Sequence, residues 1–269
     1  MKKLSQRFLF ITALAALLVG VSLVSVTEAS HSWGNYHWSR SANPAALTVG
    51  DSVSSAWDGY LNAAIGDWNI SSVVQLIKFP GLTNPKSCKP VSGRIEVCNS
   101  KYGNNGWLGL AQIWVSGPHI VQAVAKMNDT YFLKPYYNTP AWRQLVMCQE
   151  VAHDFGLDHQ DEIFTNPNLG SCMDYTNNPS GPPSNEHPNT HDYEQLGIIY
   201  EHLDALLAAS VATAGGSNGN GASNGSESHE WGNGIRRDSA GRANVYVRDL
   251  GNGKKVITHV LWVDSVEGK

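Results

Sequence analysis

The sequence predicts an α+β fold that ends in a small β-hairpin. Three observations predict it. Large apolar residues recur at helical spacing over residues 56–68, 141–155 and 192–207. β-branched and aromatic runs lie between these stretches. A small, polar segment sets two further β-type runs apart at the C-terminal end. The chain has 269 residues, 42% of them hydrophobic and 16% charged, which is enough to bury a core. So low a charge fraction excludes a solvated, disordered chain. A formal charge of −4 excludes nucleic acid as a partner.

In chain order, Lys2, Lys3 and Arg7 precede an apolar run from Phe8 to Val26 and a small-residue exit at Thr27-Glu28-Ala29. Residues 1–29 therefore read as a secretory signal peptide. No later stretch could span a membrane, so cleavage leaves no stable membrane span and the product is secreted, extracellular and expected to be a monomer. Residues 31–50 read as a polar lead-in followed by a strand. Val53, Trp57, Leu61, Ala64, Ile65 and Trp68 mark an amphipathic helix. Val73 to Phe79 is a β-type run ended by Pro80-Gly81. Leu108 to Val115 and Ile120 to Lys126 read as strands joined through Ser116-Gly117-Pro118. Pro140 suits the start of a helix that runs to Phe155 and stops at Gly156. Residues 164–191 are loop-rich, and a last helix spans about 192–207. Residues 211–228 form a Gly/Ser/Asn linker. Within the tail 229–269, Ala243 to Arg248 and Lys255 to Val263 flank the turn Leu250-Gly251-Asn252-Gly253. A lone hairpin is marginal in water, so this tail is expected to dock on the main domain or on a partner.

Export permits disulfides. Cys88 and Cys98 bracket a short Pro/Gly-containing segment and are expected to pair, which leaves Cys148 with Cys172 by elimination; four cysteines allow three connectivities in all.

The chemistry concentrates in residues 149–175. In QEVAHDFGLDHQD, a helix places Gln149 and His153 on one face, with Glu150 one step round. Gly156 permits a turn that brings His159 back towards His153. Two imidazoles, an amide oxygen and a carboxylate then converge, which suits Zn²⁺ with Glu150 as general base to a metal-activated water.

At these residues the chain resembles the metzincin metallopeptidases, whose signature is H-E-x-x-H-x-x-G-x-x-H followed by a methionine turn. Glu150, His153, Gly156 and His159 match in spacing, and Ser171-Cys172-Met173-Asp174-Tyr175 matches the turn. Gly156-Leu157-Asp158-His159 is similar to matrixins. Met173 with Tyr175 is similar to astacins and serralysins, whose tyrosine contacts the metal or steadies the transition state. The resemblance implies a metzincin-like zincin domain over residues 30–210, with a mixed twisted sheet, an active-site helix and a C-terminal helix. It implies a secreted zinc metalloendopeptidase with catalytic Glu150 and Tyr175, metal ligands His153, His159 and Gln149, and Met173 as the floor of the Met-turn. It also implies that Leu108, Gly109, Leu110 and Ala111 form an exposed edge strand on which a polypeptide substrate pairs.

Gln149 departs from the family, which has histidine there. An amide oxygen is the poorer zinc donor, and candidates to make up the shortfall are Tyr175, His187 and His191. The departure also supports an alternative: a pseudoprotease that holds peptides in the same cleft as a secreted binding module. With one imidazole missing, zinc and another divalent ion both remain open.

Overall fold

A computed structural model of the protein describes residues 31–204 and 228–263. The signal segment 1–29 and nearly all of the linker lie outside the described residues. Helices and a mixed sheet build the fold, as the α+β reading expects.

The sheet has nine strands among the described residues, in the order β3-β2-β4-β6-β5-β9-β8-β7, with β1 also pairing to β6. β1 is His37–Trp38, β2 Ala45–Ser52, β3 Val74–Pro80, β4 Ile95–Ser100, β5 Trp107–Ser116 and β6 His119–Asn128. The pairs β1–β6, β2–β3, β2–β4 and β4–β6 are parallel, and β5–β6 is antiparallel. β4 falls in a segment the sequence reading left without a strand. It is almost wholly buried and holds Cys98, whose disulfide to Cys88 ties the preceding loop to the sheet. β5 and β6 join through Gly117, which turns at φ +59°.

Helix α1, Asp58–Trp68, crosses between the parallel strands β2 and β3. Its buried residues Leu61, Ala64 and Trp68 follow the expected helical stripe. Trp68 donates from Nε1 to the Cys148 carbonyl at 3.2 Å and meets Phe155 edge-on. These contacts seat α1 against helix α3, Pro140–His153, which follows the single-turn α2 at Asp129–Phe132. Thr139 caps α3 by accepting from Trp142 N, and Pro140 occupies the first turn, where no N–H is missed. Twelve of its fourteen residues are buried, so α3 runs through the interior rather than lying on it.

Helix α4, Thr190–Ile199, begins with a capping box between Asn189 and Asp192. It ends earlier than the reading to residue 207, the last part of which lies outside the described residues. The short helix α5 is Ser228–Trp231.

The tail docks on the main domain by continuing its sheet. β7 (Asn233–Arg237), β8 (Ala243–Gly251) and β9 (Lys254–Trp262) form an antiparallel meander, one strand more than the hairpin expected. β9 pairs with β5 along its whole length, from Trp107 opposite Trp262 to Ser116 opposite Lys254. Val256 through Leu261 are all buried, so β9 is an internal strand covered on both faces. Trp107, Leu110, Trp231, Tyr246 and Val260 pack together on one side of this junction.

This pairing corrects one expectation. Leu108, Gly109, Leu110 and Ala111 do not form an exposed edge: β6 pairs with this strand on one side and β9 on the other. The donors and acceptors a peptide would need are already engaged within the chain.

Candidate metal centre

Helix α3 delivers Gln149, Glu150 and His153, and the turn after it delivers His159. Gly156 makes that turn at φ +105°, and a Cβ there would stand 2.2 Å from the Tyr36 carbonyl oxygen, so only glycine fits. The result is a 2.9 Å approach between the Nε2 atoms of His153 and His159.

The other ring nitrogens are occupied. His153 Nδ1 lies 2.8 Å from the Leu157 carbonyl, and His159 Nδ1 lies 2.9 Å from Glu162 Oε1. Both partners are acceptors, so both Nδ1 atoms carry a proton and each Nε2 is left facing the other. Burial holds His153 well below the usual histidine range, with the neighbouring His159 adding to the effect. Two Nε2 atoms this close share a proton or a metal ion, and anchoring of the far nitrogen is what metal-ligating histidines show.

A third imidazole comes from β9. His259 stands opposite Ala111 in the β5–β9 register, and its ring stacks on His153 with centroids 4.1 Å apart. One ligand atom from each of His153, His159 and His259 lies within 4.8 Å of the others. Trp33 stacks on His259 at 3.7 Å and also on His153 at 5.3 Å. His259 Nε2 sits 3.4 Å from Asp158 and 3.5 Å from Arg236 Nη2, while Nδ1 is buried with no hydrogen-bond partner among the described residues. Burial pushes His259 well below its usual range.

Other unpartnered buried atoms belong to the same region. They include Gln149 Oε1 and both carboxylate oxygens of Glu150. A Cβ on Gly109 would stand 2.2 Å from Glu150 Oε1, so the carboxyl lies directly over the bare backbone of β5. Burial raises Glu150 well above the usual carboxylate range. Asp154, four residues further on, is raised by burial and then by Glu150. Buried polar atoms are ordinarily paired, so this group of orphaned acceptors fits a site made for a cation and water.

An outer layer orients the imidazoles. Burial opposes the charge on Asp158, but the Arg236 guanidinium, with His159, holds its carboxyl below the usual range. Arg236 of β7 reaches both Asp158 (2.6 Å through Nη2) and Glu162 (2.9 Å). Glu162 is likewise held low against its burial, chiefly by His159.

The segment 171–175 lies against α3. The disulfide Cys148–Cys172 joins them, and Gln149 Nε2 donates to the Cys172 carbonyl at 2.9 Å. Met173 is fully buried, and its carbonyl accepts from Gln160 N at 2.7 Å. The Tyr175 ring stands 4.4 Å from that of His159. Its hydroxyl receives a 3.5 Å contact from Asn244 of β8, and burial raises its pKa well above the usual range.

His187 and His191 do not make up the missing ligand. His187 is exposed and pairs with Asp67 at 2.7 Å, and His191 stacks on His31. His259 and Arg236 escaped the sequence reading because no motif marks them. The available signal was a polar pair, Thr258-His259, inside a run of buried β-type residues. A cleft of about 390 Å³, lined by Trp33, Tyr36, Ile235, Arg236, Val247 and neighbours, opens beside His259.

No protein-family model matches the chain, and no curated protein matches it.

Proposed function

We propose that the chain is an exported, zinc-dependent metalloendopeptidase of metzincin-like design whose C-terminal strand supplies the third imidazole ligand. The observation that carries this reading is the facing pair of Nε2 atoms on His153 and His159, their Nδ1 atoms tied back, with His259 alongside. Three imidazoles without a thiolate suit zinc, and three protein ligands leave a position open for chemistry. Two disulfides fit the oxidising compartment that export would provide.

Bound zinc would supply Lewis acidity to a peptide carbonyl and would lower the pKa of a water at the site. Glu150 accepts the proton of that water and returns it to the leaving nitrogen. Gln149, fixed through its Cys172 bond, offers Oε1 as an acceptor that orients the water. Tyr175, kept protonated by burial, offers a hydroxyl to the developing oxyanion. With β5 covered by β9, substrate enters by the cleft beside His259 rather than by strand addition to Leu108–Ala111.

The test is zinc content of the purified full chain, with hydrolysis of an unfolded protein compared between wild type and Glu150→Gln. Stoichiometric zinc and activity lost in the variant are expected. Equal activity in the two proteins overturns the peptidase reading. The pseudoprotease alternative draws on Gln149, which stands where the family has a ligating histidine. It predicts bound zinc with no hydrolysis by either protein.

A further inference from the structure

We infer that the chain holds a second divalent-metal site, formed by His37, His119 and Asp204 on the side of the sheet where β1 meets β6, with His202 at its solvent edge. His37 and His119 are direct partners in the parallel β1–β6 register, which sets their imidazoles side by side. Asp204 follows α4 and is fastened to the lead-in chain: its Oδ2 accepts from Arg40 N at 2.7 Å, and its own N–H donates to the Arg40 carbonyl at 2.9 Å. Three imidazole Nε2 atoms then gather on one carboxylate oxygen. Oδ1 lies 2.9 Å from His119, 3.5 Å from His37 and 3.7 Å from His202.

Hydrogen bonding alone does not account for this cluster. Good N–H···O bonds span about 2.7–3.2 Å, and two of the three separations exceed that range. Ligand atoms around a tetrahedral zinc with bonds of about 2.0–2.2 Å stand roughly 3.4 Å apart, in the middle of the observed spread. The protonation pattern points the same way. His37 Nδ1 lies 2.8 Å from the Asn35 carbonyl and must donate to it. With Nδ1 so engaged, the Nε2 that faces the carboxylate is the atom His37 has left to meet a cation held there. The Arg40 guanidinium does not serve, because it is bonded to the carbonyls of Tyr200 and His202 and to Asn43.

The donor set, two imidazoles and one carboxylate, would hold a divalent ion from three sides and leave one position to water. The second ion serves as a tie between elements. It joins β1, the start of β6 and the chain after α4, close to where the linker begins. The His119 side chain is partly exposed and that of His202 more than half exposed, so the ion has a route from solvent.

The test is a zinc titration of the chelator-stripped full chain, using zinc alone as the probe. Two equivalents are expected in wild type. The double variant His37→Gln/His119→Gln loses one and keeps the other, whereas His153→Gln keeps the site proposed here. Should His153→Gln abolish all zinc binding, or the double variant leave the stoichiometry unchanged, the second site is refuted. A chain that binds one zinc, lost only in the double variant, supports this site and overturns the first. The single variant His119→Gln alters a partly exposed side chain and guards against misfolding of the double variant. It is expected to weaken one equivalent roughly tenfold or more, and unchanged affinity refutes the proposal.

Discussion

Replacing His259 by phenylalanine separates the ring's packing from its nitrogen chemistry. In the folded chain this ring stacks against both Trp33 at 3.7 Å and His153 at 4.1 Å, and is 1% exposed. Phenylalanine keeps these ring contacts. It removes a buried Nδ1 that has no partner among the described residues, and gives up the Nε2 contacts to Asp158 at 3.4 Å and Arg236 at 3.5 Å, two groups that stay paired with each other. In chelator, the variant should therefore lie within about 1 kcal/mol of wild type. In zinc the two diverge. At free zinc about 1,000 times Kd, binding to the native state stabilises wild type by about 4 kcal/mol. For a domain of this size that is roughly 8–16 °C in Tm. Loss of one of three ligands, taken as roughly a hundredfold in affinity, reduces the gain at the same free zinc to about 1.4 kcal/mol, or roughly 3–6 °C. Thermal melts by circular dichroism, in chelator and in a zinc buffer, read both numbers. A variant that keeps the full zinc-linked shift refutes His259 as a ligand.

Three further outcomes follow from the same geometry. Gly109→Ala places a methyl 2.2 Å from Glu150 Oε1; it should cost about 1–3 kcal/mol and abolish hydrolysis while zinc content stays at the wild-type level. Undiminished activity in that variant would argue against Glu150 as the base. His31 is pushed down to about 4 by burial, so its contribution is full above 6.5 and disappears as pH falls through about 4, roughly 3 kcal/mol in all. Asp192, 3.8 Å away and raised to about 6 by burial, works oppositely: its contribution is full below 3.8 and is lost as pH rises through about 6. Urea unfolding of His31→Gln between pH 7 and 4 should accordingly show a shallower acid loss than wild type, and an identical profile would count against the assignment. Removing the Cys148–Cys172 bridge by paired alanines frees a loop of 24 residues and should cost about 3 kcal/mol, read as a fall in the urea midpoint.

The parts of this protein that were legible in the sequence are those whose information is local. The spacing His153-Gly156-His159 already specifies a helix end, a positive-φ turn and two converging rings, and the structure adds the tight Nε2 approach. The β8–β9 turn was legible for the same reason, since Gly251, Asn252 and Gly253 all take positive φ there. β4 was not, because its six residues follow a Pro/Gly-rich loop, and their strand state rests on being flanked by β2 and β6.

What the sequence alone determined was one histidine on a helix and a second brought back by the Gly156 turn, a carboxyl beside them and the lack of a third imidazole at position 149. Only the tertiary structure decided where the third imidazole stands and whether the β5 edge is open. Both questions turn on one pairing, β9 against β5, between segments separated by more than a hundred residues. Strand pairing is made through backbone groups that every residue carries. Nothing in Leu108–Ala111 or in His259 therefore names its neighbour until the sheet is assembled.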